Sequence, residues 1–158
     1  MPFAPFHELC LDVAQRETRA ISVLPAAMLG IPLGDYEFIE MYCNERGCDC
    51  RRVFFSVFGP DGQIHAVIAW GWEDQAFYKR WLGDPDPSMA REMQGPVLNR
   101  ASAQSEIAEV LLELARRVLL VDPDYVARIQ RHYALFRSKV DGRGKKVRKD
   151  ARKKTRRK

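Results

Sequence analysis

VFFSVF (Val53–Phe58), GPDG (Gly59–Gly62) and QIHAVIAW (Gln63–Trp70) follow one another without interruption, and reading them decides the fold. Both apolar runs are dense in β-branched and aromatic residues over strand-like lengths and show no helical period. The link between them has turn chemistry, because proline presets φ and glycine accepts backbone conformations closed to other residues. The two runs therefore read as an antiparallel hairpin.

Working outward, Tyr36–Cys43 has the same composition and reads as a third strand, and Arg19–Leu24 as a fourth. The intervening LPAAMLGIPLGD, rich in proline and glycine, reads as a loop. Near the start, Phe6, Leu9, Cys10 and Val13 recur at helical spacing and suggest a short amphipathic helix over about Pro5–Gln15. Downstream, Asp74–Leu82, Ser105–Val121 and Pro123–Lys139 read as helices. Ser105 is a candidate cap for the middle one, whose apolar stripe is Ile107, Val110, Leu111, Leu114 and Val118. Asp122 is a candidate cap for the last, with Pro123 at its first position, where a missing N–H does no harm. Strands first and helices later make this an α+β chain, a small antiparallel sheet of three to four strands packed against C-terminal helices.

The 158 residues, 46% hydrophobic and 10% aromatic, suffice for one core, so residues 1–142 are expected to form a single domain. No apolar run reaches the roughly 20 residues that cross a bilayer, and the first residues lack the pattern of an export signal. No membrane insertion and a cytoplasmic location are the expectation. The net charge of +5 conceals a division: eleven of the 26 Lys/Arg lie from Arg143 onward against the single Asp150. Residues 143–158 therefore carry +10, and residues 1–142, with the other fifteen Lys/Arg and twenty acids, carry −5.

That last segment has too little apolar surface to bury and is expected to be a disordered basic tail. Its Arg143, Lys145, Lys146, Arg148, Lys149, Arg152, Lys153, Lys154, Arg156, Arg157 and Lys158 are candidate nucleic-acid contacts, since neutralising phosphates releases condensed counterions whatever the base sequence. RNA or the ribosome is the expected partner. A purely solubilising extension and a membrane-surface contact are the alternatives.

The segment YCNERGCDCRR brings Cys43, Cys48 and Cys50 into a C-x4-C-x-C spacing at the junction of two expected strands. In a reducing compartment clustered cysteines point to metal ligation or redox chemistry rather than to disulfides. Asn44–Gly47 can turn the chain so that the three sulfurs converge, and soft thiolates suit zinc. Arg46, Arg51 and Arg52 are expected to offset thiolate charge. A closed tetrahedral site needs a fourth ligand. Cys10 is the first candidate, with His7 one turn before it, and His65 and His132 are more distant ones. Core packing is the competing reading for Cys10, which sits in an apolar stripe. A redox reading has Cys48 or Cys50 attacking and the other resolving.

YEFIEMYCNERGCDCRRV (Tyr36–Val53), followed by AWGWEDQAFYKRW (Ala69–Trp81) and RIQRHYALFR (Arg128–Arg137), resembles a bacterial protein family of unknown function in which a YC…CDCRR segment precedes GWE…FY…RW. The likeness runs from about Glu17 to Arg137, and CDCRR is its most distinctive part. It implies a cytoplasmic bacterial protein and carries over no activity.

Trp70, Trp72, Phe77, Tyr78 and Trp81 crowd around Gly71, either as core at the corner where hairpin meets helix or as a platform for a partner. No nucleophile–histidine–acid order, HExxH, phosphate loop or dinucleotide fingerprint occurs, and catalysis is not expected; a hydrolytic zinc site would have to draw its base from Asp49 or Glu45. The preferred reading is a non-enzymatic zinc-binding domain whose basic tail contacts RNA or another polyanion. A cysteine-based redox or metal-handling protein and a protein-interaction module are the alternatives.

Overall fold

The computed structural model describes residues 2–83 and 86–155, with side chains described as far as Gly142. In chain order the elements are β1 (Phe3–Pro5), α1 (Leu11–Glu17), β2 (Arg19–Val23), β3 (Gly34–Cys43), β4 (Arg52–Phe58), β5 (Ile64–Gly71), α2 (Gln75–Leu82), α3 (Pro87–Gln94), β6 (Val97–Leu98), α4 (Ala108–Leu114) and α5 (Pro123–Thr155). The fold is α+β, as the order of periodicities implied. Among the described residues its sheet holds six strands rather than three or four, all antiparallel, in the order β1-β3-β4-β5-β6 with β2 also on β3.

The two added strands explain the shortfall. β1 is three residues ending in Pro5, and β6 is two residues, too short for any alternation to register. β1 pairs Phe3 with Cys43, and β2 pairs Arg19 with Phe38, so two short strands share the long β3. The expected hairpin is present, with Val53 opposite Trp70 and a bulge between Val57 and Phe58.

β4 is the central strand, buried over six consecutive residues from Arg52 to Val57. On one face Phe38, Tyr42, Val53, Phe55, Val57 and Ile68 join Leu111, Ala115 and Leu119 and the α5 residues Tyr125, Ile129 and Phe136 in the main core. Each buried Val, Leu, Ile or Phe side chain among them contributes about 1.5–3 kcal/mol by leaving water. The opposite face carries a smaller cluster of Phe54, Val67 and Ala69 with Phe3, Met41 and Val97 against it.

The helices differ in detail from the periodicity. Instead of one helix over Pro5–Gln15, a 3-10 turn at Phe6–Glu8 breaks at Cys10 before α1 begins at Leu11. The break lets Phe6 stack on His132, with ring centroids 4.4 Å apart, while Cys10 also reaches the core. Asp74 caps α2 by accepting from the Phe77 N–H at 2.7 Å. Asp86 does the same for α3, a helix not anticipated, by accepting from Ser88 N–H. Ser105 accepts from Ile107 N–H at 3.3 Å, and the helix that follows widens into a π-turn at Ala115–Leu119. Asp122 accepts from Asp124 N–H at the start of α5. α5 runs past the expected end at Lys139 to Thr155, so the backbone of residues 143–155 is helical where a disordered basic tail was expected; their side chains and all of residues 156–158 lie outside the described residues. Among the described residues no helix is long and apolar enough to cross a membrane.

Candidate metal centre

β3 ends at Cys43 and β4 starts at Arg52, so the cysteine segment is the loop joining two neighbouring strands of the sheet. The loop reverses through a turn in which Cys48 N–H donates to Glu45 C=O, with Gly47 at φ 73. A second reversal falls on Arg51 at φ 49, a left-handed conformation that disfavours any side chain. The Sγ atoms of Cys43, Cys48 and Cys50 lie within 4.8 Å of one another. Cys43 and Cys50 are buried, and Cys48 is half-buried.

The strain at Arg51 is held by contacts on every side. Its N–H donates to the Tyr133 hydroxyl at 3.3 Å, and its C=O accepts from the Tyr78 hydroxyl at 2.9 Å. Its guanidinium forks onto Asp49 at 2.9 and 3.0 Å, reaches Glu73 at 3.1 Å, and lies 4.6 Å from the centroid of Phe77. The first half of the loop hangs from α5. Arg137 donates to the carbonyls of Cys43 at 2.6 Å and Glu45 at 2.8 Å, and Asp141 accepts from Gly47 N–H at 3.0 Å and from Arg137 at 2.9 Å.

Burial dominates the thiol electrostatics. It pushes Cys43 up, against a backbone hydrogen bond from Glu45 and the charge of Arg137, and it pushes Cys50 up to about 12, reinforced by the charges of Cys48 and Cys43. Burial thus outweighs the neighbouring arginines, which do not by themselves ionise the cluster, although Arg52 keeps a favourable charge interaction with Cys50. Arg51 is spent on Asp49 and Glu73. Arg52 turns its Nε to the Met93 carbonyl at 2.8 Å and stands 5.2 Å from the Phe54 ring. It is 5% exposed and makes no ion pair among the described residues, though its charge and that of a Cys50 thiolate attract. Three sulfurs this close, two of them buried, cannot all ionise without a cation between them.

The other candidates lie elsewhere. Cys10 is 3% exposed in the main core at the head of α1, and burial raises its pKa; it is not among the sulfurs that converge. His7 is exposed. His65 binds Asp61 and Ser105 beside the hairpin turn. His132 is fully buried between Glu40 and Glu17. Asp49, once a possible base, is held by Arg51. Of the aromatic segment, Tyr78 is fully buried, Trp70 and Trp72 pack against the core, and Trp81 is 44% exposed.

Sequence reasoning missed Tyr133, Arg137 and Asp141, the residues that hold the loop. The available signal was their spacing of four and four, which puts all three on one face of α5. Comparison of the chain with protein-family models, curated proteins and solved structures finds no match.

Proposed function

We propose that this protein is a non-enzymatic zinc-thiolate domain in which the metal pins the β3–β4 loop, while the basic segment from Arg143 attaches the domain to RNA or another polyanion. The observation that carries the reading is the convergence of three cysteine sulfurs within 4.8 Å in a loop whose backbone is hydrogen-bonded from two helices. Soft thiolates favour zinc, which has no redox chemistry of its own and no geometric preference from its d electrons. Bound zinc supplies the positive charge that lets buried thiols ionise. Three thiolates on one divalent ion leave one negative charge, for which the buried guanidinium of Arg52, whose charge is attracted to Cys50, is a counter-charge. The +10 carried by residues 143–158 supports the polyanion half of the reading.

Thiol redox chemistry uses the same residues but needs an accessible, easily ionised sulfur. Burial works against that for Cys43 and Cys50. Elemental analysis of protein purified without metal supplementation, paired with thiol titration before and after a chelator, tests the proposal. Zinc near one equivalent, with three thiols becoming reactive on chelation, is the expected result. Metal-free protein whose cluster thiols react at once would reject it.

A further inference from the structure

Four residues, Asn44 to Gly47, separate the first ligand from the second, and a loop of that length can place Cys48 in many positions relative to Cys43. In this fold three of its peptide groups are tied to one helix. The Cys43 and Glu45 carbonyls accept from the two terminal nitrogens of Arg137, and the Gly47 N–H donates to Asp141. Asp141 also accepts from Arg137, so the fork and its carboxylate are locked to each other, one turn apart on α5. Arg137 is 7% exposed, and its planar fork suits two carbonyls in a way that an ammonium does not.

We propose that Arg137 and Asp141 are the positioning residues of the metal centre, holding the Cys43–Cys48 loop in its ligating shape before any metal arrives. The inference rests on the zinc-thiolate reading above. A loop ordered in advance loses no conformational freedom on loading, so the clasp appears in metal affinity over and above the stability its own hydrogen bonds contribute. Groups that orient metal ligands without touching the metal typically carry roughly 10–100-fold in affinity. Neither residue bears a donor atom that converges with the three sulfurs.

The test is zinc affinity of the full chain by competition with a chromophoric chelator, together with the absorption spectrum of the cobalt(II)-substituted protein. Arg137→Met and Asp141→Ala are compared with wild type and with Lys139→Met. Lys139 lies on the same helix, but its Nζ bonds the Leu9 carbonyl rather than the cysteine loop. Arg137→Lys keeps charge and stem and serves as the variant most tolerant of folding. The expected result is a fall of roughly 10–100-fold in zinc affinity for the Met and Ala variants, an intermediate fall for Arg137→Lys, altered cobalt bands, and no change for Lys139→Met. Wild-type affinity and an unchanged cobalt spectrum in folded Arg137 and Asp141 variants would overturn the positioning role alone. A wild-type protein that takes up neither metal would overturn the zinc reading and this inference with it.

Discussion

Nδ1 of His132 lies 2.7 Å from Oε2 of Glu40 and its Nε2 lies 2.5 Å from Oε2 of Glu17, so one fully buried imidazole on α5 joins the long strand β3 to the end of α1. Burial opposes the imidazolium, but the hydrogen bonds and charges of Glu40 and Glu17 outweigh it and raise the pKa. Glu17 moves the other way, lowered chiefly by its bond to His132. A raised histidine stabilises fully below its unfolded value of about 6.5 and loses that contribution as pH rises through the folded one. A lowered carboxylate stabilises above its unfolded value of about 4.5 and fails as pH falls through the folded one. Melting temperature should therefore peak in mild acid, between those two values, and decline as the pH rises above about 6.5 through the raised histidine pKa. His132→Gln should flatten the alkaline decline and cost on the order of 3 kcal/mol, since it leaves Glu40 buried without its cation. An unchanged alkaline slope in the variant would refute the assignment.

Tyr78 and Gly71 are a matched pair. The Tyr78 hydroxyl reaches the Arg51 carbonyl by passing where a side chain on Gly71 would stand, and a Cβ there would collide with both hydroxyl and ring. Tyr78→Phe should cost about 1 kcal/mol for the lost bond. Gly71→Ala should cost more, about 1–3 kcal/mol, because the ring itself must shift. Because the clash includes ring carbons, adding Tyr78→Phe to Gly71→Ala should not restore stability. Urea denaturation of the three variants measures this; a Gly71→Ala protein as stable as wild type would contradict the packing described.

The elements legible in the sequence were those with a long period and clear punctuation: the β4–β5 hairpin around GPDG, strand β3, helix α2 and the start of α5 at Pro123, though not its run to Thr155. What escaped had too little length to show a period, as with Phe3–Pro5 and Val97–Leu98, or owed its shape to distant contacts, as with the break at Cys10 that lets Phe6 reach His132. At the site, the convergence of Cys43, Cys48 and Cys50 was readable from spacing because the loop is short. The arginine effect was overestimated because sequence adjacency shows neither burial nor where a guanidinium points: burial holds Cys43 and Cys50 protonated and Arg51 folds back on Asp49, which leaves Arg52 as the neighbour whose charge acts on Cys50. Arg137 and Asp141 act across more than 90 residues of chain; their spacing of four marks one face of α5 but does not say which loop that face meets.

The four cysteines should divide cleanly. Cys43→Ser, Cys48→Ser and Cys50→Ser should each abolish stoichiometric zinc, because a hydroxyl is a poor soft ligand. Cys10→Ala should retain zinc at full stoichiometry while losing about 1 kcal/mol of stability, the behaviour of a small buried hydrophobe. Chelation of the wild-type protein should lower the melting temperature, since binding to the folded state alone stabilises by about 2.7 kcal/mol at 100 times the dissociation constant. Elemental analysis and scanning calorimetry on the same samples check both halves. Loss of zinc on replacing Cys10 would restore it as a ligand.

The basic segment makes a separable prediction, because it begins after Asp141, the last residue seen to hold the cysteine loop. Deleting residues 143–158 removes +10 of charge and leaves a body of −5, so retention on immobilised RNA at low salt should vanish. The melting temperature and zinc content should not change. For the full chain, retention should fall steeply and linearly on a logarithmic salt scale, with a slope that grows with the number of phosphates neutralised and little preference among RNA sequences. Retention that survives the deletion would place the polyanion contact on the acidic body, where its net charge works against it, and would count decisively against the role proposed for the eleven basic residues.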